Sequence, residues 1–319
     1  MPTRSGFRLR APSRSNATWI VAWFALLLLL FRILDHFGLS LPHPLFTVVI
    51  LAFAGLAVPV AVWTYLQHRN PLQTLWLRPF SPTHIPLVIL MTLLLPVLAL
   101  MLSLPFGNML FLDAPYRLWG LYTPVSDGGV LGVLLLILVY ILLPTICEEL
   151  LFRCVLPHSF AEFGPVVTAL LSAFLFSFFD FNLGTFLVTF AVGISLYLVL
   201  YVTRSMTPVL IVRLFYQTFT VFFRQELASF YRSAGSGTVF FFLLTLIFGI
   251  IVILICSVMI HLNLDHAKKL KENSEAYAAR EKHPLPERIK ATVTLLGRAV
   301  SDPFIWGSAL VFALSLFIR

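Results

Sequence analysis

The chain has 319 residues, of which 59% are hydrophobic and 11% are charged, whereas soluble globular domains carry about 25% charged residues. With a mean hydropathy of +0.94, this composition excludes an ordinary soluble protein and predicts a polytopic membrane protein. The net charge of +8 comes from basic residues near both ends of the chain, which is typical of flanks that face anionic lipid. We therefore expect membrane lipid as a partner and no nucleic acid.

Long apolar runs predict an all-α fold, a helical membrane bundle with about eight transmembrane helices. The predicted spans are about 17–33, 45–66, 85–104, 130–152, 166–181, 185–202, 207–223 and 238–262. A shorter apolar run at 304–318 is either a ninth span or a helix that lies on the membrane surface. Three cysteines without paired spacing indicate small buried side chains and no disulfide framework.

The charges between the spans predict the orientation of the chain. Residues 1–16 hold four arginines and no acid and form a basic cytoplasmic N-terminus. The loop 67–84 is also basic and reads as cytoplasmic, whereas the loop 105–129, with Asp113 and Asp127, reads as external. The predicted organisation is a membrane domain at 17–262, a charged cytoplasmic segment at 263–300 and a C-terminal hydrophobic helix at 301–319.

One short stretch in the fourth span interrupts the apolar pattern. The residues 147–153 read Cys-Glu-Glu-Leu-Leu-Phe-Arg, although each charged side chain at the centre of a membrane helix costs about 2.5–3.5 kcal/mol. Glu149 and Arg153 are four residues apart and share one helix face, and Glu148 points about 100° away from Glu149. Such a group of charges needs partners inside the membrane or a function there.

Two further predicted helices supply polar side chains that could meet this stretch. Asp180 ends the fifth span, and Arg213 and Gln217 lie four residues apart in the seventh. Together with Glu148, Glu149 and Arg153 they would form a nearly neutral buried cluster. The cluster is either a structural ion-pair network or a reaction centre in which a carboxylate activates water and neighbouring donors bind an oxyanion. A metal site at Cys147, Cys154 and His158 matches no standard spacing.

The sequence of residues 148–153 resembles the EExxxR motif of the CPBP family, which includes CAAX prenyl endopeptidases, Abi proteins and bacteriocin-processing proteases. In that family the motif is followed by an FxxxH helix and then by a helix with HxxxN or HxxxD after a proline. This chain has Phe-Ser-Phe-Phe-Asp at 176–180 and a proline-led segment at 208–217 in the corresponding places. The resemblance covers about 85–223.

The resemblance implies hydrolysis of peptide bonds inside the membrane. The first glutamate of the motif would be the base, and the second glutamate and the arginine would organise the site. The two family histidines are replaced here by Asp180 and Arg213, and the Asn or Asp position is Gln217. Because zinc prefers imidazole or thiolate ligands, we expect no zinc and no other cofactor. The predicted site residues are Glu148, Glu149, Arg153, Asp180, Arg213 and Gln217.

Three functions fit these observations. The first is an intramembrane endopeptidase of the CPBP type, with a degenerate site, that acts on membrane-associated peptides or proteins. The second is a non-catalytic family member that serves as an immunity, chaperone-like or partner-binding protein. The third is a transporter, although the sequence lacks the internal repeat common in transporters. For all three we expect an integral protein of a bacterial cytoplasmic membrane, with its N-terminus inside.

Overall fold

A computed structural model confirms the expected helical membrane bundle. The structure describes residues 17–39, 44–67, 75–77, 79–103, 117–119, 121–122, 129–160, 163, 165–179, 183–223, 226, 229, 237–271, 293–294, 296–297 and 300–315. Asp180 and the segments 1–16 and 272–292, for which the sequence makes predictions, lie outside the described residues.

The described part of the chain contains nine helices of 13 residues or more and one small ladder of two strands. A 3₁₀ turn at Pro82–His84 leads into the third helix, and the antiparallel strands are β1 (Arg117–Leu118) and β2 (Leu121–Tyr122). The helices are α1 (Thr18–His36), α2 (Pro44–Leu66), α3 (Ile85–Ser103), α4 (Gly129–Ser159), α5 (Pro165–Phe178), α6 (Leu183–Thr203), α7 (Met206–Phe222), α8 (Gly237–Lys271) and α9 (Pro303–Ser315).

Five of these helices are long and apolar enough to cross a membrane, namely α1, α2, the helix at Pro82–Leu100, α4 and the Thr185–Thr203 part of α6. Among the described residues, α5, α7, α9 and the stretch Thr245–Val258 of α8 are shorter apolar helices. The predicted ninth run corresponds to α9, which has 13 residues and so measures about 20 Å, against a hydrocarbon core of about 30 Å. It packs on α1 and α5, with Ile305 and Phe312 buried.

Three π-helical segments interrupt the helices, and each is followed two residues later by a proline. The segments are Leu51–Ala57 in α2 and Leu136–Leu142 and Leu150–Val155 in α4. Proline lacks an N–H and clashes with the carbonyl four residues earlier, and a wider π turn relieves that clash. The fourth span therefore continues through Pro157 to Ser159. The sequence had predicted an end near Phe152, and that prediction is wrong.

The ends of two helices show how the bundle is arranged. The backbone N–H of Ala17, at the start of α1, donates to Ser159 Oγ at the end of α4 over 3.1 Å. The charged stretch at 148–153 consequently lies about two to three turns inside the bundle from this end, at about 1.5 Å per residue. The helix α3 packs against α6, α7 and α8, and α7 also packs against α4.

Part of the loop 105–129, which the sequence predicts to be external, enters the bundle. The strands β1 and β2 pair Arg117 with Tyr122 and Leu118 with Leu121. Trp119 follows β1 with a φ of 53°, and its side chain is only 1% exposed. This hairpin thus brings a large aromatic ring between the helices.

The helices α5 and α6 pack closely against each other at Gly193. A Cβ on Gly193 would lie 2.9 Å from Ala173 Cβ and 3.0 Å from its Cα. We therefore expect Gly193→Leu to force the helices apart and to destabilise the protein by about 1–3 kcal/mol, measured by thermal unfolding in detergent. In the matched control Gly249→Leu, a Cβ meets nothing within 4 Å, and stability should be unchanged. Equal stability of the two variants would contradict this packing.

Candidate functional site

The charged stretch of α4 forms its first ion pair within the helix. Arg153 Nε donates to Glu149 Oε2 over 2.9 Å, and both side chains are fully buried. Arg153 Nη1 also donates to Ser172 Oγ over 3.2 Å, and Ser172 Oγ donates to the carbonyl of Phe152 over 2.6 Å. Ser172 therefore ties the arginine and the backbone of α4 to α5.

Arg213 on α7 joins the two glutamates from the opposite side. Its Nη2 donates to Glu148 Oε2 over 2.9 Å, and its Nε lies 3.5 Å from Glu149 Oε1. The residue is 7% exposed. Glu148 and Arg213 are 65 residues apart in the chain, so this pair fixes α7 against α4.

Trp119 completes the surroundings of Glu148. The indole Nε1 donates to Glu148 Oε1 over 2.6 Å, so both oxygens of this carboxylate accept a hydrogen bond. The Trp119 ring also meets Phe24 of α1 at a centroid distance of 5.1 Å and an interplanar angle of 73°. Its carbonyl accepts a bond from Arg32 Nη2 over 3.5 Å. The hairpin consequently connects α1 to the charged cluster.

Aromatic rings cover both arginines. The guanidinium carbons of Arg153 and Arg213 lie 5.1 and 5.0 Å from the centroid of the buried Phe176 ring. The guanidinium carbon of Arg213 also lies 5.6 Å from the Tyr216 centroid. Cation–π contacts of this kind contribute about 2 kcal/mol when water is excluded. Phe176 thus helps to hold two like charges close together.

The described part of the cluster is electrically balanced, because two carboxylates face two guanidinium groups. Three of its buried polar atoms have no hydrogen-bond partner among the described residues, namely Glu149 Oε1, Arg153 Nη2 and Arg213 Nε. Of these, Glu149 Oε1 and Arg213 Nε face each other at the ion-pair distance of 3.5 Å. A balanced set of charges can persist in a membrane interior where single charges cannot.

The structure brings together four of the six residues that the sequence singled out, namely Glu148, Glu149, Arg153 and Arg213. Gln217 is buried one turn farther along α7. Asp180 lies outside the described residues, so its place relative to the cluster stays a prediction.

Sequence reasoning missed four residues that shape the site. Arg32 was overlooked as a charge within the first span, and Phe176, although it begins the second motif at 176–180, was given no role in the site. Ser172 lies four residues before Phe176 and hence on the same face of α5. Trp119 had no recognisable signal, because only the fold brings its loop to α4.

Comparison with known proteins supports the motif. Residues 130–219 match the family model described as Rce1-like, the type II CAAX prenyl endopeptidase Rce1-like family. The matched segment runs from α4 to α7, includes all three motif positions and covers less than a third of the chain. This confirms the resemblance to the CPBP family over these residues. No curated protein and no solved structure matches the chain.

Removing the Arg213 side chain should leave buried negative charge without enough positive charge to balance it. We expect Arg213→Ala to cost about 3–5 kcal/mol of stability, because Glu148 and Glu149 would be left with too few cations. The measurement is the free energy of unfolding in detergent or bicelles. In the double variant Glu148→Gln/Arg213→Met both charges are gone, and we expect a clearly smaller loss than for Arg213→Ala alone. Wild-type stability of Arg213→Ala would refute the network.

A second prediction compares two buried serines on α5. Ser172→Ala removes the acceptor of Arg153 Nη1 and should cost about 1–3 kcal/mol, since a buried charged donor loses its partner. Ser177 Oγ donates only to the carbonyl of Ala173 in its own helix, over 2.8 Å. Ser177→Ala should therefore stay within about 0.5 kcal/mol of the wild type. Unfolding measurements that rank the two variants in reverse order would contradict the role of Ser172.

Proposed function

We propose that this chain is a non-catalytic, CPBP-type membrane protein that binds a membrane-associated peptide or protein without hydrolysing it. One observation carries the proposal. Arg213, at the position of a family histidine, forms an ion pair with Glu148, at the position of the family's catalytic base, over 2.9 Å. The group that would activate water is therefore engaged by a side chain of the protein itself.

The surroundings of Glu148 argue against a role as general base. A base must direct a free oxygen at the water that it activates, at about 2.6–3.2 Å. Glu148 is 3% exposed, and its two oxygens already accept bonds from Arg213 and Trp119. At least one of these contacts would have to be exchanged before a water and a peptide bond could reach this carboxylate.

The residues present do not fit the metal that the family resemblance implies. Arginine has five N–H donors and no lone pair for a cation, so Arg213 replaces a ligand with a positive charge. Among the residues that the structure describes, no three His, Cys, Asp or Glu side chains come together in a way that could hold a metal ion. We propose that zinc has no part in the function of this chain.

The features that the chain keeps are those needed for binding. An Rce1-like segment at 130–219 in a helical membrane bundle supports contact with lipid and with membrane-attached peptides or proteins. A partner of this kind would bind where a protease binds its substrate, but it would not be cleaved. Immunity, chaperone-like and assembly roles all belong to this class. We further propose that the protein lies in a bacterial cytoplasmic membrane with its basic N-terminus inside, as the charge pattern predicts.

A second candidate function has one observation in its favour. Arg153 Nη2 is a buried N–H donor without a hydrogen-bond acceptor among the described residues, and Arg213 Nε has only its 3.5 Å contact with Glu149 Oε1 there. Such donors can stabilise an oxyanion, so hydrolysis without a metal is the alternative. In that case Glu148 would be the base, with Arg213 and Gln217 as donors, and Trp119 would have to leave the carboxylate first.

A membrane-attached reporter peptide separates the two functions. The full-length protein in nanodiscs is mixed with an internally quenched, farnesylated peptide, and binding is followed by anisotropy and cleavage by fluorescence. We expect saturable binding by the wild type, and no cleavage above the rate in empty nanodiscs by either the wild type or Glu148→Gln. Cleavage by the wild type that Glu148→Gln abolishes would overturn the proposal and leave metal-free hydrolysis. Absence of both binding and cleavage would exclude prenylated peptides as the partner class.

A further inference from the structure

The indole of Trp119 lies in a small site with one polar wall. Glu148 Oε1 accepts its N–H over 2.6 Å, and the Phe24 ring packs against it edge to face. Phe24 is held in turn by Phe179, whose ring stacks on it at 4.3 Å and 5°. We call the site formed by Glu148 Oε1 and Phe24, with Phe179 stacked behind Phe24, the aromatic pocket.

Few strand contacts hold the described part of the hairpin that carries Trp119. Its ladder consists of two residue pairs, and an isolated two-stranded hairpin is only marginally stable. Trp119 has a φ of 53°, a left-handed conformation that is unfavourable for a bulky side chain. The anchoring of the hairpin therefore depends on the indole in its pocket more than on the strands.

The charges around Glu148 restrict what else could occupy this place. Arg213 already satisfies Oε2 of the carboxylate, and the two glutamates of the cluster are matched by two arginines. A second cation at Oε1 would leave the described cluster with excess positive charge in an apolar setting, and the free energy of burying that charge is high. A neutral donor on an apolar ring, as in tryptophan or tyrosine, satisfies both the carboxylate and the walls.

We propose that the aromatic pocket is the binding site for a tryptophan or tyrosine side chain of the membrane partner, and that Trp119 occupies it as an internal ligand until the partner replaces it. This inference rests on the proposed binding function. Because partner and hairpin compete, the apparent affinity of the partner is reduced by the fraction of molecules in which the pocket is filled. Removal of the Trp119 side chain should increase the affinity selectively for aromatic donors.

The first experiment tests the pocket with small probes. Trp119→Ala in nanodiscs is heated with indole or with indene, which has the same shape and no N–H. We expect indole at saturation to raise the melting temperature by about 5 °C and indene to raise it by less than half as much. The control is Trp23→Ala, since Trp23 is 41% exposed and donates to the carbonyl of Ala54. Indole should not change the melting temperature of this variant. Equal shifts with both probes, or none, would overturn the inference.

The second experiment tests competition with a partner. Two membrane-inserting peptides differ only in a central tryptophan or leucine, and their binding to wild type and Trp119→Ala is measured by anisotropy. We expect Trp119→Ala to bind the tryptophan peptide about tenfold more tightly than the wild type does and to leave the leucine peptide unchanged. An equal change for both peptides would contradict the inference. Trp119→Leu, which fills part of the space, is used if the alanine variant does not fold.

The two experiments distinguish the failure of this inference from the failure of the proposed function. A larger melting-temperature shift with indole than with indene, without any peptide binding, would support the pocket but refute partner binding through it. Peptide binding that does not depend on the aromatic residue or on Trp119 would leave the binding function standing and refute the pocket as its site.

Discussion

The ion pair between Glu148 and Arg213 is the contact on which the rest of the interior depends. In an apolar bundle each of these charges would be costly alone, and together they are stable only if their helices keep a fixed register. The pair joins α4 to α7, and Arg153 with Ser172 joins α4 to α5. Phe176 lies against both arginines. The polar contacts thus specify how three helices meet, in a setting where apolar packing alone discriminates poorly between registers.

An arginine at the place where the resembled family has a histidine supports a different chemistry. A histidine offers a lone pair to a metal or a proton donor to an oxyanion, whereas arginine offers only donors and a permanent charge. In this chain the charge is directed at the first motif glutamate. The indole of Trp119 adds a neutral donor on the second oxygen. Both oxygens of this carboxylate therefore accept hydrogen bonds from side chains of the protein itself.

The fold class and the motif residues could be predicted because they leave local signals. Spans show as long apolar runs, and the glutamates and arginines stand out as charges inside them. The predicted end of the fourth span was wrong, since Pro157 is an ordinary stop signal in water, whereas here a π-helical segment accommodates it. The part played by Trp119 could not be predicted, because nothing near it in the chain indicates that its loop turns inward.

The amino-acid sequence by itself determined that the chain is helical and embedded in a membrane, and which charged side chains had to find partners there, because hydropathy and the cost of burying charge act on each segment separately. The tertiary structure alone decided the pairing. Arg213 could have balanced either glutamate, and an approach of α7 to α4 selects its hydrogen bond to Glu148 and its longer contact with Glu149. The position of Trp119 against Glu148 likewise depends on contacts between residues far apart in the chain, which no local pattern records.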